Sequence, residues 1–417
     1  MEINAGDTAW VLMACALVLF MTPGLALFYG GMVRSKHTLG MLMQNFFSMG
    51  LIGVLWAIVG FSLAFGDGGG FIGNFDFAFL KGVMQVDEEG LLVNKLPGLD
   101  FLTIPPIAFF AFQMMFAIIT PALITGATAD RLKFRSYVVF IGLWSLLVYS
   151  PVAHWVFSPT GWLFERGALD FAGGTAIHIN AGIAAAVVVA IIGARKGHPG
   201  QPMLPHSLPL TLIGTGILWF GWFGFNAGSA LAANGQAAQA LVNTSLAASA
   251  AMLGWLVVER LRGGHATTLG AASGAVAGLV AITPCAGFVG GAAPLIIGAV
   301  AGAACYLAIG IKRALKLDDS LDVIAVHLIG GIIGSLLLGL FADKSATGIG
   351  ADGLFFGGGT ELLVNQVIAV VSTLVFSTVV TFVIAKAIDL TMGLRVDDEA
   401  EDVGLDLSQH AENAYSA

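Results

Sequence analysis

His178 and His327 are the side chains best suited to chemistry. Each lies inside an apolar stretch long enough to cross a bilayer. They stand 149 positions apart in similar strings, Ala176-Ile177-His178-Ile179-Asn180-Ala181-Gly182-Ile183 and Ala325-Val326-His327-Leu328-Ile329-Gly330-Gly331-Ile332. A titratable ring at membrane depth is costly and is normally kept for a pathway or a proton relay. Two such rings in matching surroundings point to an internal repeat whose halves meet at one site. As neutral imidazoles, one donates and the other accepts a hydrogen bond, so the pair offers a lone pair or an N–H to a small polar solute and could relay a proton. The plainer reading, that each histidine ties two helices together, leaves the matching unexplained. No carboxylate or thiolate stands nearby at ligand spacing, so no metal is expected.

A second group is aromatic. Phe109, Phe112 and Phe116 fall on one face of a helix by the three-and-four rule. Trp219-Phe220-Gly221-Trp222-Phe223-Gly224-Phe225-Asn226 forms another cluster. Such rings either gate a passage and hold a small cation over a π face or serve as packing and interface anchors. Asp170 precedes Phe171-Ala172-Gly173-Gly174-Thr175 and opens the stretch that carries His178. Its carboxylate is placed to accept free amide protons at a helix start and also to lend negative potential to a cation site. Asp322, five positions before His327, is expected to cap its helix in the same way. Ser229 follows Asn226-Ala227-Gly228 and offers a hydroxyl beside the rings.

These residues need a scaffold, and composition names it. The chain has 417 residues, of which 57% are hydrophobic and 11% charged, and its mean hydropathy is +0.88. A soluble protein would carry about a quarter charged residues, so this is a polytopic, all-α membrane protein. Glycine, 56 residues in all, suits close helix packing in a bilayer. No basic patch exists for nucleic acid. Cys15, Cys285 and Cys305 have no metal or disulfide spacing and read as small core residues. The acidic start lacks the positive region of a secretory signal, so the first apolar segment is expected to be retained.

Eleven segments qualify as spans, at about 8–32, 39–65, 102–129, 136–157, 172–194, 207–230, 238–259, 267–283, 287–311, 321–342 and 360–387. With the N-terminus outside, only Lys81, Lys95, Arg166 and Lys344 of the 18 Lys and Arg fall on the outer side. The positive-inside bias therefore supports eleven spans, N-out and C-in. His178 falls in span five and His327 in span ten. Five is odd, so the second five spans run inverted relative to the first, and both histidines can face one central passage. The expected layout is a transmembrane domain over 1–388, with repeats at about 8–194 and 207–342 plus span eleven at 360–387, and an acidic cytoplasmic tail over 389–417.

Several strings together resemble the ammonium transporter (Amt/Mep/Rh) family, and closely its bacterial Amt branch. They are Thr22-Pro23-Gly24-Leu25-Ala26-Leu27-Phe28-Tyr29-Gly30-Gly31, Asp170-Phe171-Ala172-Gly173-Gly174-Thr175-Ala176-Ile177-His178-Ile179-Asn180, Trp222-Phe223-Gly224-Phe225-Asn226-Ala227-Gly228-Ser229 and Ile282-Thr283-Pro284-Cys285-Ala286-Gly287. In the tail they are Gly393-Leu394-Arg395-Val396, then Gly404-Leu405-Asp406, His410, Glu412 and Tyr415. The resemblance implies a homotrimer in the cytoplasmic membrane with one ammonium pore per subunit and no cofactor. It makes Phe116 and Phe225 the outer gate, His178 and His327 the mid-pore pair, and Phe112, Phe157, Trp222, Ser229 and Asp170 the outer ammonium site. It also implies docking of a PII-type signal protein on the cytoplasmic face. One position departs from the pattern: after Ala153-His154-Trp155-Val156 stands Phe157, where the bacterial branch usually has the Trp of the outer cage.

Three functions follow from these residues: ammonium transport, ammonium sensing through the tail, and a conduit for other small neutral solutes. No nucleophile–base pair and no phosphate loop is found, so an enzyme is not expected.

Overall fold

In hydrocarbon every backbone amide must find its partner within the protein, so an apolar stretch of about 20 residues becomes a helix. The computed structural model describes residues 2–415. Ten of its helices are long and apolar enough to span: α1 (Ala5–Met32), α2 (Ser35–Phe65), α3 (Pro106–Thr128), α4 (Phe134–Glu165), α5 (Gly174–Ile192), α6 (Leu208–Gly228), α7 (Gly235–Gly263), α9 (Ala293–Ala314), α10 (Ile324–Phe341) and α11 (Glu361–Thr391). Between α7 and α9 lies α8 (Thr268–Ile282), with 15 residues. At 1.5 Å per residue it reaches only about 22 Å, short of a bilayer's hydrocarbon. The chain continues as turns through Thr283, Cys285 and Val289, all buried. Irregular backbone at membrane depth is tolerated where protein covers it. This is why α9 starts at Ala293 and not near 287. With α8 included, the eleven spans expected are present.

The first and second groups of five helices meet where α5 crosses α10. Gly182 and Gly331 each stand four residues after a histidine, on the same helix face. A Cβ on Gly182 would lie 2.5 Å from the backbone nitrogen of Leu328, and one on Gly331 would lie 3.1 Å from the Gly174 carbonyl and the His178 Cβ. The two backbones therefore touch on both sides of the histidines. Helix α11 lies outside the repeat and packs on both halves. Its Gln366 amide donates to the Leu169 carbonyl at 2.8 Å and the Ser335 carbonyl at 3.1 Å, and its Ser377 hydroxyl donates to Asn180.

The cytoplasmic end is closed by charges. Asp130 is buried and pairs with Arg34 at 3.0 Å and Arg195 at 3.6 Å. Arg195 also pairs with Asp318 at 2.8 Å. Burial alone would raise the Asp318 carboxyl, but hydrogen bonds and charge from Arg195 outweigh it and hold the group below the usual carboxylate range. Arg131, fully buried, donates to the carbonyls of Gly193, Ala129 and Asp318 at 2.8, 2.9 and 2.6 Å.

The tail folds back over this end as α12 (Asp398–Val403) and α13 (Leu405–His410). The Val396 amide donates to the Arg131 carbonyl at 3.0 Å, and the Lys133 amide to the Leu394 carbonyl at 2.8 Å. Asp406 accepts from the Gly40 amide at 2.8 Å, and Glu401 from the Lys196 amide at 2.6 Å. The tail thus joins the start of α2 to the α3–α4 and α5–α6 connections.

The crossing can be tested. Gly182→Ala drives a methyl into the Leu328 backbone and is expected to cost about 2–3 kcal/mol, in the overpacking range. Gly331→Ala, whose contacts are looser, should cost less, and Gly216→Ala, with open space around it, should be neutral or slightly stabilising. Thermal melting in detergent gives the ranking; equal effects at Gly182 and Gly216 would contradict the close crossing.

Candidate functional site

The site is built from the helix starts inward. Asp170 sits just ahead of α5, and both its oxygens are engaged. Oδ1 accepts from the amides of Gly173 and Gly174 at 2.8 and 2.6 Å, Oδ2 from those of Thr175 and Ala176 at 2.9 and 3.3 Å, and the Thr175 hydroxyl also donates to it. Gly173, at φ +114°, takes the left-handed turn that brings these amides to one carboxylate. The first six residues of α5, Gly174–Ile179, are wound as a π-helix, and so are the first six of α10, Ile324–Ile329. Such wide turns are rare and recur at functional sites. Each carries one of the two histidines.

The second cap differs from expectation. Asp322 pairs with Lys312 at 2.6 Å and does not cap α10. Asp319 does, accepting from the amides of Val323 and Ile324 at 3.1 and 2.8 Å. Burial, with the Asp322 charge adding to it, pushes the Asp319 carboxyl up to about 6. Asp319 lies 149 positions after Asp170, the spacing that separates the histidines. The repeat offset was the available signal, and proximity to His327 pointed to the wrong carboxylate.

Between these caps the His178 and His327 Nδ1 atoms are 3.2 Å apart. One nitrogen must carry the proton and the other the lone pair. The donor ring then has a bare Nε2 and the acceptor ring a protonated one. The rings are nearly parallel, at 16° with centroids 5.3 Å apart. His178 stacks on Trp222 at 5.5 Å and 19°, and the Trp222 indole donates to the Thr283 hydroxyl at 2.9 Å. Both histidines border a narrow cavity of about 10 Å³, with Leu25, Phe28, Leu123, Leu218 and Val276 among its other walls. That is room for one molecule about the size of water. The buried His178 Nε2 has no hydrogen-bond partner among the described residues.

Phe116 and Phe225 stand edge to face, centroids 4.5 Å apart. Phe225 borders the inner cavity and Phe116 an outer vestibule of about 780 Å³. Asp170, Phe157 and Ser229 line that vestibule, the Ser229 hydroxyl donating to the Phe225 carbonyl at 2.9 Å. Two residues assigned to the outer site lie elsewhere. Trp222 borders the inner cavity, and Phe112 is fully buried, packed on Phe116 and beside Gly228. Phe109, grouped with Phe112 and Phe116 from sequence but assigned no place in the outer site, lines the vestibule with Gln113, which was not singled out, and with Leu99 and Phe101 from the α2–α3 loop. That loop, for which the sequence suggested no role, is pinned by His154, whose two ring nitrogens face the carbonyls of Ala64 and Gly69 at 2.9 and 2.8 Å.

The family model for the Ammonium Transporter Family matches residues 9–415. The chain belongs to that family. The ammonium transporter of Mycobacterium tuberculosis H37Rv is 50% identical over 99% of this chain and 90% of its own length. That of Bacillus subtilis is 46% identical over 98% of each. Among solved structures, Candida albicans Mep2 superposes with a TM-score of 0.88 at 34% identity, covering 95% of this chain and 88% of that one. A protein titled Sensor Amt Protein gives 0.85 at 30%, covering 97% and 98%. The chain is therefore a multi-pass ammonium transporter and not an enzyme.

The caps make a graded prediction for the transporter. Asp170→Ala strands four backbone amides and should cost about 2 kcal/mol or more. Asp319→Ala strands two and should cost about 1–2 kcal/mol. Asp322→Ala, which loses a partly exposed ion pair, should cost under about 1 kcal/mol. Melting temperatures in detergent check the order, and a loss at Asp322 equal to that at Asp170 would contradict the assignment.

Proposed function

We propose that ammonium is recruited in the outer vestibule by Phe157, Ser229 and the negative potential of Asp170, loses its proton near the Phe116–Phe225 gate, and continues as ammonia past His178 and His327. Moving a bare cation through hydrocarbon costs roughly 3 to more than 10 kcal/mol. Aromatic faces return about 2 kcal/mol when desolvated. The difference favours deprotonation before the narrow cavity. It also excludes potassium, which has no proton to lose. The observation that supports this reading most is the Nδ1–Nδ1 pair at 3.2 Å beside an apolar cavity of about 10 Å³. A proton arriving at one Nε2, with a shift of the shared Nδ1 proton, leaves at the other Nε2, so the same pair that guides ammonia also suits a relay.

The remaining assignments rest on the family resemblance. They are a homotrimer of separate pores in the cytoplasmic membrane, a transmembrane domain over 1–388, and a regulatory tail over 389–417 beside which a PII-type signal protein docks. Phe157 and the likeness to the sensor protein favour one second reading, in which ammonium binding signals with little flux. Uptake of labelled methylammonium into proteoliposomes separates the two, since a sensor takes up almost none, and currents across a lipid bilayer at two pH values then tell electrogenic from neutral flux.

Replacing both His178 and His327 with Leu is expected to abolish saturable uptake of labelled methylammonium, and unchanged uptake would defeat the relay. Phe157→Trp adds a stronger π face and should lower the KM for methylammonium about two- to fivefold, the equivalent of an exposed cation–π increment.

A further inference from the structure

The short helix α8 ends in a buried turn. Thr283 closes the helix, its amide donating to the Val280 carbonyl at 3.2 Å, and its side chain is fully buried. The turn that follows is tied on three sides. The Phe171 amide, just ahead of α5, donates to the Pro284 carbonyl at 3.1 Å. The Cys285 thiol donates to the Gly334 carbonyl of α10 at 3.2 Å. The Asn243 side-chain amide of α7 donates to the Ala286 and Val289 carbonyls at 2.8 and 2.7 Å. A Cβ on Gly174 would lie 2.6 Å from the Pro284 ring, and one on Gly334 would lie 2.1 Å from the Ala281 carbonyl. The end of α8 is thus wedged against α5 and α10, the two helices that carry the histidines.

The Thr283 hydroxyl has one proton, and it goes to the Leu279 carbonyl at 2.8 Å. The oxygen is left to accept, and it faces the Trp222 indole N–H at 2.9 Å. An indole has a single N–H and no acceptor. Buried without a partner, that N–H would carry its full desolvation penalty, so the plane of the ring follows the Thr283 oxygen. Trp222 lies 19° from the plane of His178, centroids 5.5 Å apart. His178 lies 16° from the plane of His327. A row of three nearly parallel rings therefore ends on one hydroxyl. Thr283 itself does not border the inner cavity; it reaches the pair through Trp222.

We propose that Thr283 is a positioning residue for the histidine pair: its hydroxyl fixes the plane of Trp222, and Trp222 holds the His178 ring where its Nδ1 meets that of His327. Because the same turn touches Gly174 and Gly334, Thr283 is anchored to the two helices whose rings it aligns. This role rests on the proposed passage of ammonia along the pair.

The test is uptake of labelled methylammonium by the full-length protein in proteoliposomes, normalised to the protein reconstituted. Thr283→Val keeps the shape and removes the acceptor. Its Vmax should fall about tenfold, the rate equivalent of one buried hydrogen bond, while KM, set in the vestibule, stays at the wild-type value. Thr283→Ser keeps the hydroxyl and should restore most of Vmax. Thr381 supplies a matched control, since its hydroxyl accepts from the buried Trp144 indole at 3.0 Å, between α11 and α4 and away from the pore. Thr381→Val should lower the melting temperature as Thr283→Val does and leave Vmax and KM unchanged. In a Trp222→Phe background, which has no N–H to strand, adding Thr283→Val should cost no further activity. Wild-type Vmax in Thr283→Val, equal losses of Vmax at Thr283 and Thr381, or an undiminished further loss in the Trp222→Phe background would each overturn the proposal. Saturable uptake surviving replacement of both histidines with Leu would instead refute the passage along the pair. An inactive histidine variant beside an unimpaired Thr283→Val would refute the positioning role alone.

Discussion

The structure depends on one close contact, the crossing of α5 and α10. Two imidazoles meet Nδ1 to Nδ1 at 3.2 Å only if their backbones approach within glycine distance. Gly182 and Gly331 permit that approach, and the π-wound starts of both helices turn the rings toward each other. A carboxylate at each end holds the wide turns in place, Asp170 through four amides and Asp319 through two. The arrangement is costly in a bilayer, where an unpaired polar group has no water to turn to. Each ring meets this cost by pairing with the other, and both rings border the cavity, where the buried His178 Nε2 has no partner among the described residues.

Around this crossing the two ends of the protein are built differently. The outer end is open and aromatic. Phe157, Phe109, Phe171 and Phe288 border a vestibule whose wall is completed by a long loop fixed through backbone carbonyls. The cytoplasmic end is held by ions. Buried Asp130 and Asp318 each hold an arginine, and the tail is stitched to the start of α2 and to two connections between spans. Breaking such a buried pair would leave an uncompensated charge, which costs far more than the pair itself contributes. A tail anchored by these bonds shares the fate of the helix ends beneath it, which places it mechanically close to α5 and α10.

Much of this was legible beforehand. Apolar length and the placement of basic residues are direct consequences of the bilayer, so span count, orientation and inversion of the halves follow from the chain alone. The histidine pair was legible for the same reason, because a buried titratable ring stands out against apolar neighbours. Asp170 as a cap was legible from its place before a glycine-rich helix start. The errors have a common cause. Asp322 was preferred over Asp319, and Phe112 and Trp222 were placed in the vestibule, because nearness in sequence and helical spacing say which residues share a face but not what that face meets. Phe109 and Gln113 occupy the vestibule wall since the rotation of α3 is set by its packing on neighbours such as Phe61 and Phe65.

The chain by itself determined that this is a helical membrane protein of two inverted halves, with its polar chemistry reduced to two histidines, because hydrocarbon forces those outcomes on any such composition. Only the tertiary structure decided the π-wound helix starts, the short α8 with its buried turns, the close crossing of α5 on α10 and the anchoring of the tail. Each of these depends on which backbone touches which, and contacts between residues more than a hundred positions apart leave no periodicity in a sequence.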